Sequence, residues 1–253
     1  MRYILLIILS TLLALSSMML HARSGSVLRL SARYMSTGSS LTSISAPFLF
    51  SQIQKSRNRN LSVWQDADIT RFVTKRIPLG DREYVPAGLV SISGSSIDEA
   101  WRSSMLRREA RDALWDMARE FEWEFGTPLV VVSGYRSAKY QQRLWDLGRC
   151  TDTLCAPPGY SEHQLWLAVD IFDASTAQAY MRNPRYRQYV TWLSMHAHEY
   201  WYTQSYQKWE SIDAYEVEPW HWRYLGVPLA TKLHELGMTY SEYIELESIL
   251  ASR

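Results

Sequence analysis

Glycine is scarce in this chain. Eleven of 253 residues are glycine, about 4%, where soluble proteins usually carry about 7%. Tryptophan is as frequent as glycine, with 11 residues. Cysteine occurs only twice, and neither sign of charge is in excess: 27 Lys+Arg stand against 26 Asp+Glu, a formal net charge of +1. That balance argues against a nucleic-acid partner, which shows as a basic excess or stripe. With 47% hydrophobic and 21% charged residues, the chain can bury a real core. A wholly disordered chain and a multi-span membrane protein are both excluded. The length suits one or two domains.

The N-terminus reads as an export signal or an anchor. Met1 and Arg2 give a short positive start, and Tyr3 to Leu20 carries no charge. This fits a secretory signal with cleavage after Ala22 or an uncleaved single membrane anchor. The expected location is therefore extracytoplasmic, with membrane contact only through residues 1–22. The two cysteines, Cys150 and Cys155 in CTDTLC, agree with export, because disulfides persist mainly in oxidising compartments. A lone C-x4-C without a second pair is weak as a zinc motif. A loop staple is expected, contributing about 2 kcal/mol on the chain-entropy model.

Residues 23–75 are rich in Ser and Arg with little periodicity, and read as a low-order tether. A domain is expected over 76–240, followed by a C-terminal helix over 241–253. The stripe Met105, Ala110, Ala113, Leu114, Met117, Phe121 predicts a helix over Ser96–Phe125, ended by Gly126. Pro128–Ser133 is a short β-branched apolar run, a buried strand. Ser137 is the expected N-cap of a helix reaching Leu147. Leu165–Phe172 reads as a strand and Tyr186–Glu199 as a helix. Short strands are expected over Tyr200–Ser205, Ala214–Glu218 and Trp220–Tyr224, and helices over Leu229–Leu236 and Ser241–Leu250. Helices first and clustered short strands later predict an α+β fold, a small antiparallel sheet flanked by helices.

Two segments hold the chemistry: Pro158-Gly-Tyr-Ser-Glu-His163-Gln-Leu-Trp-Leu-Ala-Val-Asp170 and Glu218-Pro-Trp-His221-Trp-Arg-Tyr224. A catalytic zinc site needs three protein ligands, an open position and a nearby base. His163, Asp170 and His221 can supply the ligands. Glu218, three residues before His221, can stand beside the metal without ligating it.

The chain resembles the D-alanyl-D-alanine carboxypeptidases of the VanY type, zinc peptidases that include the L,D-carboxypeptidases of cell-wall recycling and the vancomycin-resistance dipeptidases. SGYRS (Ser133–Ser137) with Gln141, then GYSEH and LAVD, then EPWHWRY carry the resemblance, in order, within about Ile77–Met238. The resemblance implies His163, Asp170 and His221 as zinc ligands, Glu218 as general base and Arg136 as the group facing the substrate's carboxylate and the developing oxyanion. It places Ser133, Gln141 and Ser161 at substrate contacts. The implied activity is removal of the terminal D-Ala from peptidoglycan stem peptides. L,D-carboxypeptidase action on tetrapeptide stems and a non-catalytic wall-binding module are the alternatives. The family pattern has glycine where Trp166 and Trp201 stand. Either the site is remodelled around the two indoles, or the positions are glycine in the source; with glycine depleted and tryptophan enriched, a reassigned UGA codon is the expected explanation. Trp220 and Trp222 fit the pattern as true tryptophans.

Overall fold

The computed structural model describes residues 63–251, apart from 154, 173 and 175. The N-terminal segment 1–22 and residues 23–62 of the expected tether lie outside the described residues. Residues 63–75 do not behave as a tether. Phe72 and Val73 are buried, and Arg71 is 3% exposed. Arg71 pairs with Asp66 at 2.8 Å. This segment's carbonyls also serve two other buried arginines: Arg107 Nη2 donates to Asp66 O at 3.0 Å and Arg223 Nη2 to Ile69 O at 2.9 Å. A segment held by side chain-to-carbonyl bonds leaves no hydrophobic period in the sequence.

The first strands are β1 (Leu89–Ser91), β2 (Ile97–Asp98) and β3 (Met105–Arg107), followed by helix α1 (Arg108–Phe125) and strand β4 (Leu129–Ser133). The helix predicted from Ser96 thus starts at Arg108. Asp98 Oδ1 accepts the Ala100 N–H at 2.8 Å, a local turn that competes with a first helical turn. The chain then reverses, with Arg102 N–H donating to Glu99 O at 2.9 Å, and β3 pairs antiparallel with β1. Five residues of the expected apolar stripe, Ala110, Ala113, Leu114, Met117 and Phe121, are buried in α1, but Met105 lies in β3 and is exposed. Gly126, at φ 65°, ends the helix in the left-handed conformation, which glycine adopts without a Cβ penalty.

Helix α2 (Ala138–Asp146) starts as predicted, with the Ser137 side chain accepting from Tyr140 N–H. A 3-10 turn, Glu162–Leu165, precedes β5 (Ala168–Ile171). Helices α3 (Ala177–Arg182) and α4 (Pro184–His196) lead to β6 (Tyr202–Gln204), the single turn α5 (Glu210–Asp213), β7 (His221–Tyr224) and helices α6 (Val227–Leu236) and α7 (Tyr240–Ala251). The strand predicted over Ala214–Glu218 does not form. Ala214 caps α5 at positive φ, and Asp213, fully buried, accepts from the Gln207 and Lys208 amides.

The main sheet has the order β2-β4-β5-β7-β6. Only β2–β4 is parallel; the other three pairings are antiparallel. The fold is therefore α+β, a small, largely antiparallel sheet with helices packed on it. The apolar face of α1 meets Leu129 and Val131 of β4, Val169 and Ile171 of β5, and Tyr189 and Leu193 of α4. A second apolar cluster joins Phe72 and Leu225 to α6 and α7. Burying both clusters leaves the polar ends of β4, β5 and β7 free to build a site.

Six non-glycine residues have positive φ among the described residues, and three are tryptophans: Trp101 (68°), Trp166 (61°) and Trp201 (68°). A bulky side chain in that region is an outlier. Trp166 is also 4% exposed with its indole N–H buried and unpartnered.

Candidate functional site

The sheet register assembles the centre. Ser133 of β4 stands opposite Asp170 of β5, and Asp170 stands opposite His221 of β7. Directly opposed cross-strand residues have Cβ atoms about 5 Å apart, so residues far apart in sequence meet side by side. His163 comes from the 3-10 turn just before β5. The turn is capped by Ser161, whose Oγ accepts the His163 N–H at 3.2 Å. It is held to the β4 end by the Arg136 N–H, which donates to His163 O at 3.3 Å.

The donor set fits a metal ion. One ligand atom from each of His163, Asp170 and His221 lies within 4.8 Å of the others. The His163 Nδ1 sits 2.6 Å from Gly134 O. A carbonyl only accepts, so Nδ1 carries the proton and Nε2 presents a lone pair. Burial pushes the His163 pKa down to about 4, so the ring is neutral at pH 7. Its Nε2 is buried without a hydrogen-bond partner, yet it lies 3.2 Å from Asp170 Oδ1. Two acceptors facing each other are reconciled by a cation between them. The His221 Nδ1 is 3.1 Å from the same Asp170 oxygen. Two ligands at about 2.1 Å in tetrahedral geometry stand about 3.4 Å apart, close to both separations. With two imidazoles and one carboxylate, the set suits zinc and leaves a coordination position open.

The electrostatics follow from burial and charge. Burial opposes ionisation of Asp170, but His163, His221 and Arg136 outweigh it and hold the carboxyl well below the ordinary range. Burial alone would lower His221, but Asp170 and Glu162 on its two sides raise it to about 10 without metal. Glu218 is 8% exposed. Burial is the main cause that pushes it up to about 7, against the pull of His221. Its Oε2 stands 3.7 Å from His221 Nδ1, beside the ligand cluster. Arg136 Nη2 is 3.3 Å from Asp170 Oδ2, and its Nε is buried without a partner.

The structure thus brings together His163, Asp170, His221, Glu218 and Arg136, with Ser133 at the adjoining register position. The other two expected substrate contacts, Ser161 and Gln141, each make one bond within the protein, and the Gln141 Oε1 is buried without a partner. Ser161 caps the 3-10 turn. Gln141 is 1% exposed and its Nε2 donates to Ala156 O at 2.8 Å. That bond braces the loop in which Cys150 and Cys155 are paired, their Cα atoms 5.2 Å apart. Sequence reasoning passed over Glu162, whose Oε2 is 2.9 Å from His221 Nε2, and Tyr206, whose ring stacks on His221 at 4.7 Å between centroids. The position of Glu162 beside His163 was a signal for the first; nothing local marked Tyr206.

A three-residue imidazole–carboxylate metal centre with a buried carboxyl and an arginine at its edge defines a metallo-peptidase site. The VanY family, D-alanyl-D-alanine carboxypeptidase, matches residues 103–227. The protein YodJ of Bacillus subtilis (strain 168), provisionally named a carboxypeptidase, is 35% identical over 188 residues, covering 70% of this chain and 67% of that one. The solved structure of the LdcB LD-carboxypeptidase, described with its basis of peptidoglycan recognition, is 31% identical with a TM-score of 0.61, covering 71% of this chain and 87% of that one. A VanY D,D-pentapeptidase from a VanB-type resistance cassette, solved in complex with Zn(II), shares the fold at 24% identity and a TM-score of 0.51, covering 68% of this chain and 97% of that one. This chain belongs to the VanY family of D-alanyl-D-alanine carboxypeptidases and is a metallo-carboxypeptidase.

Proposed function

We propose that the protein removes the terminal D-Ala from peptidoglycan stem peptides, with His163, Asp170 and His221 holding one zinc ion. The observation that carries this reading is the convergence of those three ligand atoms within 4.8 Å, with the Glu218 carboxylate 3.7 Å from His221 Nδ1. When bound, zinc supplies Lewis acidity, which makes water a nucleophile at neutral pH. Glu218, raised to about 7, takes a proton from the attacking water and passes it to the leaving amine. Arg136 presents a planar fork of donors to the substrate's terminal carboxylate and to the oxyanion that develops at the scissile carbonyl. Ser133, opposite Asp170 in the sheet register, is the proposed contact to the same peptide. A wall-binding module without catalysis would have no use for Glu218.

The likeness to LdcB favours a second reading, L,D-carboxypeptidase action on tetrapeptide stems by the same residues. Work outside the cytoplasm is part of the proposal, supported by the uncharged Tyr3–Leu20 run and by the paired Cys150 and Cys155. The test is incubation with muropentapeptide and murotetrapeptide, with and without chelator, read by mass. Loss of D-Ala from the pentapeptide alone supports the first reading, and cleavage of the tetrapeptide alone supports the second. Glu218→Gln keeps the shape of the side chain but cannot take a proton at neutral pH. It should retain zinc while kcat falls about 10²–10⁴-fold; turnover at the parent rate would sink the mechanism.

A further inference from the structure

We propose that Glu162 is the positioning residue for the metal ligand His221. The inference rests on the zinc-site reading above. Glu162 projects from the 3-10 turn over β7, and its side chain is 3% exposed. Its Oε2 accepts from Ser205 Oγ at 2.6 Å and faces His221 Nε2 at 2.9 Å. Its Oε1 lies 3.4 Å from Arg223 Nη1. His221 and Arg223 are two apart on β7 and therefore share a face, so one carboxylate spans both. Arg223 is fully buried and anchored, with Nε donating to Tyr224 O and Nη2 to the Ile69 and Arg71 carbonyls.

The tautomer follows from donors and acceptors. Without an ion, both ring nitrogens of His221 face carboxylate oxygens, Nδ1 at 3.1 Å from Asp170 Oδ1 and Nε2 at 2.9 Å from Glu162 Oε2. Ligation through Nδ1 takes that nitrogen's lone pair and leaves the ring proton on Nε2, where Glu162 Oε2 accepts it at 2.9 Å. The Nδ1 lone pair then points at Asp170 and the ion. Tyr206, stacked on the ring with 26° between planes, fixes its orientation. Without Glu162 the Nε2 proton loses its buried acceptor, and the ring loses the bond that aims Nδ1 at the ion. Outer-shell carboxylates of this kind typically change metal affinity 10–100-fold.

The rival role for Glu162 is purely structural, as counter-charge for buried Arg223. The test reads metal binding without turnover: zinc affinity of the apo-protein by competition with a chromophoric chelator, and the visible spectrum of the cobalt-substituted protein. Glu162→Gln should stay folded, weaken zinc 10–100-fold and alter the cobalt bands. Parent-like affinity and spectrum, with only a lower apo Tm, would overturn the proposal. If Glu162→Gln does not fold, the double variant with Arg223→Met removes the stranded charge and must show the same loss of affinity; parent-like zinc binding there also overturns it. His221→Ala is the control. If it keeps parent zinc affinity, the metal-site reading itself fails. If it loses zinc while Glu162→Gln does not, only this inference fails.

The backbone carries a second inference independently. Trp166 caps the 3-10 turn that bears His163, and Trp201 caps the 3-10 helix Ala197–Tyr200, both left-handed. Trp101 follows Ala100 in a turn with φ 47° and 68°, the two-positive-φ pattern that favours glycine at its second position. Its side chain is fully exposed. We infer that all three codons are UGA, read as glycine in the cell of origin, whereas Trp222, buried in β7 with its indole N–H donating to Pro219 O, is encoded by UGG. The gene sequence and the masses of the corresponding peptides from source cells test this. UGA codons with glycine masses at 101, 166 and 201 support it; UGG at any of the three overturns it there.

Discussion

Replacing Trp101 with glycine should stabilise the protein that carries tryptophan there, although it deletes a large aromatic side chain. The indole is 105% exposed, so no burial is lost. An L-residue in the left-handed region costs about 1–2 kcal/mol, and glycine removes that cost. Glycine returns about 0.5–1 kcal/mol through its greater freedom in the unfolded chain. The net expectation is a gain of about 0.5–1 kcal/mol, or about 1–4 °C in Tm for a domain of this size. Trp123, 68% exposed near the end of α1, is the matched control. There φ is helical and glycine loses helix propensity, so Trp123→Gly should cost about 0.5 kcal/mol. The two substitutions remove the same atoms from exposed sites and should move stability in opposite directions. Thermal and urea unfolding of both variants decide it. A Trp101→Gly protein that melts below the parent, as Trp123→Gly should, would refute the strain argument and weaken the codon inference with it.

Arg136→Lys keeps the charge but loses the planar fork; kcat/KM for substrates with a free terminal carboxylate should drop at least tenfold, with little change for amidated ones. Gly159, just ahead of the ligand turn, has φ 82° and would place a Cβ 2.8 Å from Arg82 Cβ, so Gly159→Ala should cost about 1–3 kcal/mol in urea unfolding. Asp66 accepts from Arg71 Nε, Gly80 N–H and Asp81 N–H. Burial opposes its ionisation, but these bonds prevail and leave its pKa below the ordinary 3.8. Its stabilising contribution is therefore complete above about pH 4 and fades as pH falls through the lower folded value. Asp66→Asn should lower stability by about 1–3 kcal/mol at pH 7, and the gap to the parent should close in strong acid.

The sequence by itself determined which residue types could perform the chemistry and where the regular elements lie. Spacing of small and aromatic residues marked α1, β-branched runs marked β4 and β5, and the Ser137 cap and Gly126 stop were visible because each acts within a turn of its own position. His163, Asp170, His221 and Glu218 were legible from two short motifs whose order matched a known family. Local signals failed where a distant partner decided the backbone. Residues 97–107 form strands and a turn instead of the first turns of α1, because β4 and β1 offer ladders there and Asp98 binds its own backbone. Residues 63–75 carry no periodicity because they are held by buried arginines from β3 and β7. The tertiary structure alone decided the register that sets Asp170 beside His221, the tautomer of His163 through Gly134 O, and the use of Glu162 on both His221 and Arg223. Those outcomes depend on hydrogen bonds and charges between elements far apart in the chain, which no single stretch of sequence encodes.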